Sequence, residues 1–188
     1  MRKIPTAFDR DWNGDRSRVL DVPHKDCGWV FDGEGRATRK LDGTSCMVRA
    51  GKMFKRRELR EADAAPADFE LATHDEETGK RVGWVPVGDG PEDRYHREAF
   101  NNPSAAPRDG TYELVGPKIQ GNPEKYPEHT LVAHDDPSLI LSPQPPRTFD
   151  ALREWMTGQD IEGIVWHHPD GRMAKLKLRD FGLKRLEA

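Results

Sequence analysis

No apolar run in this sequence approaches the roughly 18 residues needed to span a bilayer, which argues against a membrane protein. The opening Met1-Arg-Lys-Ile-Pro5 lacks the apolar core of a secretion signal. Cysteine is scarce. Cys27 and Cys46 are too few for a disulfide framework and suit a reducing, cytoplasmic setting. Large apolar residues are also scarce: Leu, Ile, Val and Phe number 13, 5, 10 and 7 in 188 residues. That is about 19%, near the level that marks disorder. Disorder also calls for high net charge, and the net charge here is only −3. The combination predicts a folded, polar chain with substantial loops, and the length fits one domain over 1–188.

The near-neutral total hides an uneven distribution. Residues 1–60 carry 15 basic and 9 acidic side chains, residues 61–160 carry 9 and 20, and residues 161–188 carry 6 and 4. A basic head and tail around an acidic middle suggest that the two ends meet at an anionic ligand. A random charge mosaic would give the same numbers.

Arg36 to Leu59 reads as two short strands turned by Ala50-Gly51-Lys52. Residues 61–110 contain only 6 Leu, Ile, Val or Phe and read as a loop-rich insertion. Strand patterns resume at 111–115, 130–134, 162–167 and 172–178. The extended Ser142-Pro-Gln-Pro-Pro146 feeds a helix with Thr148 as N-cap and Gly158 past its end. Phe149, Leu152 and Trp155 or Met156 form its buried stripe. Trp29, Trp84, Trp155 and Trp166 read as packing residues. Antiparallel strands with few helices predict an α+β fold.

Three segments could carry chemistry. The first is Lys40-Leu-Asp-Gly-Thr-Ser45, which alone is equally a hairpin turn with a solvated lysine. For Lys40 to act as a nucleophile, nearby cations would have to lower its pKa, because only about one lysine in 2,500 is neutral at pH 7. The second is Glu162 followed by Lys175 and Lys177. The two lysines are spaced to share one face of a strand, with Ala174, Leu176 and Leu178 turned inward. Paired ammonium groups beside a carboxylate suit a metal–nucleoside triphosphate, although a solvated sheet face reads the same way. The third is Thr111-Tyr-Glu-Leu-Val-Gly-Pro-Lys-Ile-Gln-Gly-Asn122, where Glu113 alternates away from the core. Such a glutamate could accept ribose hydroxyls, and more often it is simply surface. His129, His167 and His168 have no Cys/His spacing that supports zinc.

In this order, from Arg36 to Lys177, the segments resemble ATP-dependent RNA ligases of the covalent nucleotidyltransferase superfamily, which also holds DNA ligases and messenger-RNA capping enzymes. The hallmark K-x-D-G reads Lys40-Leu-Asp-Gly43. The resemblance implies a nucleotidyltransferase fold of antiparallel sheets and a few helices, with the nucleotide site between them. It implies that Lys40 attacks the α-phosphate of ATP and forms lysyl-AMP, that Glu162 helps place Mg²⁺ or Mn²⁺, and that Lys175 and Lys177 hold the α-phosphate. It further assigns ribose binding to Glu113, adenine stacking to His134 in Leu131-Val-Ala-His-Asp135, and ribose or RNA-phosphate contacts to Lys55 and Arg56. Asp42 and Gly43 of the hallmark would line the nucleotide.

Two positions depart from the family pattern. Ser45 stands where DNA ligases and capping enzymes carry Arg, which points to the RNA-ligase branch. Arg39 stands where a Glu often precedes the nucleophile, which leaves GTP use open. The chain ends 11 residues after Lys177, which leaves no room for a separate C-terminal domain. The implied partner is RNA with 5′-phosphate and 3′-hydroxyl ends, acting on a monomer without a membrane. A guanylyltransferase, an enzyme adenylylating another acceptor, and a non-catalytic RNA-binding module of the same fold are the competing readings. The charge split then predicts a basic cleft, with Lys40, Lys55 and Arg56 from the head and Lys175 and Lys177 from the tail.

Overall fold

The computed structural model describes residues 4–76, 78–102 and 107–186. Among them the chain forms β1 (Phe8–Arg10), β2 (Val19–Pro23), α1 (Gly28–Phe31), β3 (Arg36–Lys40), β4 (Thr44–Arg49), β5 (Lys52–Leu59), β6 (Glu70–Asp75), β7 (Lys80–Pro86), α2 (Arg94–Phe100), β8 (Gly110–Val115), β9 (Thr130–Ala133), α3 (Phe149–Thr157), β10 (Gly163–His167) and β11 (Met173–Lys177). The fold is α+β, and its named strand pairs are antiparallel.

The described chain divides into two compact units, residues 42–136 and residues 4–41 with 137–186. Each has its own core. In the first unit a six-stranded sheet runs β6-β7-β5-β4-β8-β9. Cys46, Val48, Met53, Tyr112, Leu114 and Leu131 form its core together with Ala99 of α2. In the second unit a three-stranded sheet runs β11-β10-β3. Ile164, Trp166, Ala174 and Leu176 are fully buried, with Leu152 and Met156 of α3 in the same core. Helix α3 follows the sequence pattern, from N-cap Thr148 to C-cap Gly158.

The stretch 61–110, expected to be loop-rich, contributes β6, β7 and α2. Its apolar content is low because β7 is held mainly by pairing with β5 and β6. Only Val82, Gly83 and Trp84 of β7 are buried. Likewise Arg36 to Leu59 forms three strands where two were expected. Leu41, Asp42 and Gly43 break the run between β3 and β4.

The three-stranded sheet decides where the charged residues go. Its register aligns Lys40, Gly163 and Lys177 in one row, and Thr38, Val165 and Lys175 in the next. Directly opposed residues share a face, so Lys40, Lys175 and Lys177 all project from the side opposite Ile164 and Leu176. Burying side chains of that size is worth about 1.5–3 kcal/mol each. A one-residue slip would drive the lysines into the core, so the apolar face fixes the register. Lys40 of the basic head and Lys175 and Lys177 of the basic tail are therefore carried by the two neighbours of β10.

Gly163 is required at the centre of that sheet. A Cβ there would sit 2.2 Å from the Leu176 carbonyl oxygen and 2.8 Å from Lys177 Cα. With β10 paired on both sides, neither neighbour can yield without breaking register. Gly163→Ala is expected to cost about 1–3 kcal/mol in urea unfolding. A loss below about 0.5 kcal/mol would show that β11 can shift freely.

Candidate active site

The end of β3, the start of β10 and the end of β11 converge on one carboxylate. Glu162, immediately before β10, accepts from Lys40 Nζ at 2.5 Å through Oε2 and from Lys177 Nζ through Oε1. Lys40 Nζ also donates to the Leu41 carbonyl at 3.2 Å. The side chains of Lys40, Glu162 and Lys177 are 22%, 15% and 16% exposed, so the pairings are largely shielded from water. Burial pushes the Glu162 carboxyl up, but the Lys40 and Lys177 ammonium groups outweigh it and hold the carboxyl below its ordinary value.

The lysine ends are held by their backbones. The Lys177 N–H donates to Asp180 Oδ2 at 2.8 Å, and Asp180, 1% exposed, receives Arg10 on its other oxygen at 2.8 Å. Leu178 N–H bonds the Glu162 carbonyl at 3.0 Å, so the carboxylate and Lys177 are tied to the same backbone. Lys175 is fixed at the sheet edge, where its N–H donates to the Pro5 carbonyl and its carbonyl accepts from Ala7 N–H. Arg39 alternates to the opposite face, in the row of Ile164, and so points away from Lys40.

The remaining expected residues lie in the other unit. On the core-averted face of its sheet, Ser45 opposes Glu113 in register. Glu113 is 9% exposed, so it is nearly buried although it faces away from the core. His134 bridges Glu113 Oε2 through Nε2 at 3.1 Å and Thr111 Oγ1 through Nδ1 at 3.0 Å. A Cβ at Gly43 would meet the Leu114 carbonyl at 2.3 Å and Glu113 Cγ at 2.9 Å, so this glycine lets Glu113 lie against it. The Asp42 N–H donates to Glu124 at 3.0 Å.

Lys55 and Arg56 do not form one basic element. Lys55 takes the core side, opposite Cys46, and binds Asp93 at 2.6 Å. Asp93 is 2% exposed and also accepts the Gly88 N–H at 2.8 Å. Burial raises the Asp93 carboxyl, while Lys55 and Gly88 bring it below its ordinary value. Arg56 alternates to the Ser45 face and is exposed.

Gly163, Asp180, Gly43's contact with Glu113 and Thr111 were not foreseen from the sequence. The only available signal was the Glu-Gly pair at 162–163. Among the described residues no group of three or more His, Cys, Asp and Glu is placed to hold a metal ion. His129 instead stacks on Tyr95 at 4.4 Å and pairs with Glu98, and His168 bridges Glu34 and Asp170. No helix among the described residues is long and apolar enough to cross a membrane.

The family model for RNA ligase 1 matches residues 91–187, which is 97 of the 188 residues. That stretch contains Glu113, His134, Glu162, Lys175 and Lys177, and Lys40 lies outside it. The RNA ligase 1 of Danio rerio is 27% identical over 221 residues, covering 79% of this chain and 67% of that protein. The RNA ligase 1 proteins of Pongo abelii and Rattus norvegicus are each 37% identical over 81 residues, covering 39% of this chain and 24% of those proteins.

Proposed function

Because the chain belongs to the RNA ligase 1 family, we propose that it is an ATP-dependent RNA ligase that works through a lysyl-AMP on Lys40, on a nucleotidyltransferase fold. The observation that carries this reading is the convergence of Lys40 and Lys177 on Glu162. These residues come from distant parts of the chain, and two ammonium groups around one carboxylate on one sheet face suit a phosphate–metal ligand.

Three phosphoryl transfers follow. In the first, the neutral Lys40 nitrogen bonds to the α-phosphorus of ATP as the bond to pyrophosphate breaks. In the second, an RNA 5′-phosphate oxygen attacks that phosphorus and breaks the P–N bond, which returns the lysine. In the third, an RNA 3′-hydroxyl attacks the activated 5′-phosphate and AMP leaves. Each step needs in-line placement and charge neutralisation more than further covalent chemistry. Lys177, beside Lys40, and Lys175, one row along, supply the positive charge.

Glu162 fits a metal carried in by the nucleotide. Mg²⁺ commonly takes one or two protein carboxylates and fills its shell with phosphate oxygens and water, and Glu162 is such a lone carboxylate. Bound there, the ion would spread the developing charge on the phosphates. Glu162 must also release the Lys40 ammonium before that nitrogen can lose its proton and attack. Arg56 on the exposed face is read as the RNA-phosphate contact, and Lys55 as the brace for Asp93. The unpaired, buried thiols of Cys27 and Cys46 accord with a reducing, cytoplasmic setting. Burial pushes the Cys27 thiol up to about 11 and the Cys46 thiol higher still.

The test is incubation with α-labelled ATP or GTP and Mg²⁺ or Mn²⁺, followed by a denaturing gel. The adenylylated protein is then offered 5′-phosphorylated RNA in nicked, hairpin and single-stranded forms. Label from ATP that passes to RNA and is lost on sealing is expected. No protein-bound label overturns the covalent mechanism, and label from GTP alone favours a guanylyltransferase.

A further inference from the structure

Both oxygens of the buried Asp180 are committed. Oδ2 accepts the Lys177 backbone N–H at 2.8 Å, and Oδ1 accepts Arg10 Nη2 at 2.8 Å. Asp180 lies in the short 3₁₀ turn Leu178–Phe181, immediately after β11. A carboxylate so deeply buried is tolerated only when it is paired and hydrogen-bonded. Arg10 therefore decides whether Asp180 can stay on Lys177.

Arg10 ends β1 and is largely shielded, with 26% of its side chain exposed. Its Nη2 also donates to Thr6 Oγ1 at 3.3 Å, and its Nη1 donates to the Arg16 and Ser17 carbonyls at 3.3 Å. Thr6 in turn bridges Lys175 in parallel register, between the Pro5 and Ala7 bonds to the Lys175 backbone. Arg18 of the same hairpin donates to the Arg179 carbonyl at 3.4 Å and lies over Gly182, where a Cβ would collide with its guanidinium. The segment 5–18 thus grips β11 and its turn at Lys175, at Asp180 and at Arg179.

We propose that Arg10 and Asp180 are positioning residues: through the Lys177 N–H, the pair sets where the Lys177 ammonium meets Glu162 and the transferring phosphate. This rests on the reading of the chain as a lysyl-AMP-forming ligase and deepens it. Both residues act through Lys177 and not on the substrate. A clamp that served stability alone would lower the melting point without changing the rate of the folded protein.

The experiment measures single-turnover lysyl-AMP formation by the full chain, below the lowest melting point of the set. The set is wild type, Arg10→Ala, Arg10→Lys, Asp180→Asn and the double variant Arg10→Ala/Asp180→Asn. Arg10→Ala and Asp180→Asn are each expected to lower the maximal rate about 10- to 100-fold, the cost of misplacing a group by about an ångström. The KM for ATP stays within about threefold of wild type. In Asp180→Asn the amide has one acceptor oxygen and cannot serve both Lys177 and Arg10. Arg10→Lys keeps a cationic donor for Asp180 and retains the rate to within about fivefold. The double variant is within about threefold of the slower single one, because both changes break one link.

Wild-type maximal rates in both single variants overturn the proposal. So does a loss confined to KM, a loss in Arg10→Lys equal to that in Arg10→Ala, or losses that multiply in the double variant. Should Asp180→Asn not fold, the two Arg10 variants carry the test. If the wild type forms no lysyl-AMP, the ligase reading fails separately, and NMR of ¹³C-methylated lysines decides, since methylation keeps the charge. The Lys177 signal, assigned through Lys177→Arg, is expected to move toward the exposed-lysine position in Arg10→Ala and to stay in Arg10→Lys. A Lys177 signal unmoved in Arg10→Ala overturns the positioning role.

Discussion

Lys40→Ala is expected to abolish labelling of the protein by α-labelled ATP, by on the order of a thousandfold or more, as the loss of a covalent nucleophile does. The structure makes the outcome more specific than that. Lys40 Nζ donates to Glu162 at 2.5 Å, so in this state the nitrogen is held against the carboxylate and must be released before it can attack. Attack requires the proton to leave, and a guanidinium does not give one up near neutral pH. Lys40→Arg should therefore be as inactive as Lys40→Ala, although it keeps the positive charge opposite Glu162.

Folding should survive both changes, because Glu162 keeps Lys177 as partner and the row through Gly163 is held by backbone pairing. A second readout separates loss of the nucleophile from loss of the site. RNA supplied already adenylylated at its 5′-phosphate needs only the last transfer, in which Lys40 forms no bond. Lys40→Ala should still seal it, at a rate within about tenfold of wild type. Persistent labelling of Lys40→Ala would overturn the choice of nucleophile.

The features that were legible in the sequence depend on strict periodicity. Lys175 and Lys177 alternate with Ala174 and Leu176, and the structure puts the lysines on one face and the apolar pair in the core. Thr148 and Gly158 bracket α3 at the positions the sequence marked, although Thr148 makes no side-chain cap hydrogen bond and Gly158 is not left-handed. The shared face of Lys40 and Lys177 is different in kind. It comes from β3 and β11 both pairing with β10, and nothing local encodes that arrangement.

The failures also have physical causes. β6 and β7 bury few side chains and owe their order to cross-strand hydrogen bonds, so a reading based on apolar density missed them. Lys55 and Arg56 look like one basic element in a linear sequence, but neighbours on a strand point opposite ways, and the buried Asp93 claims Lys55. Arg39 is turned from Lys40 by the same alternation. Asp180 is invisible in advance because its task is to hold one backbone N–H of Lys177 and the side chain of Arg10, and no motif announces that pairing.

Glu162→Gln is expected to be nearly as damaging to labelling as loss of the nucleophile, at about a hundredfold, and to affect stability with a defined pH dependence. The amide keeps the shape but leaves two ammonium groups facing an uncharged partner in a shielded site. Breaking a buried pair costs about 3–5 kcal/mol. Lys40 is the most exposed of the three and can turn to water, which brings the expected loss down to about 1–3 kcal/mol at pH 7.

The sign with pH follows from the depressed carboxyl. Its folded pKa lies below the ordinary value of 4.5, so the ionised form stabilises the fold above that value, and the stabilisation is lost as pH falls through the folded pKa. Wild type and Glu162→Gln should therefore differ most at neutral pH and converge in acid, below 4.5. Denaturant unfolding of both proteins between about pH 3 and pH 7 measures this. A gap that stays constant across this range would show that ionisation of Glu162 is not the source of the loss. Labelling by Glu162→Gln at the wild-type rate would reduce Glu162 to a brace for the lysines and remove it from phosphoryl transfer. The two readouts test the same carboxylate in its two roles: restraining Lys40 before the nucleotide arrives, and handling charge once it has.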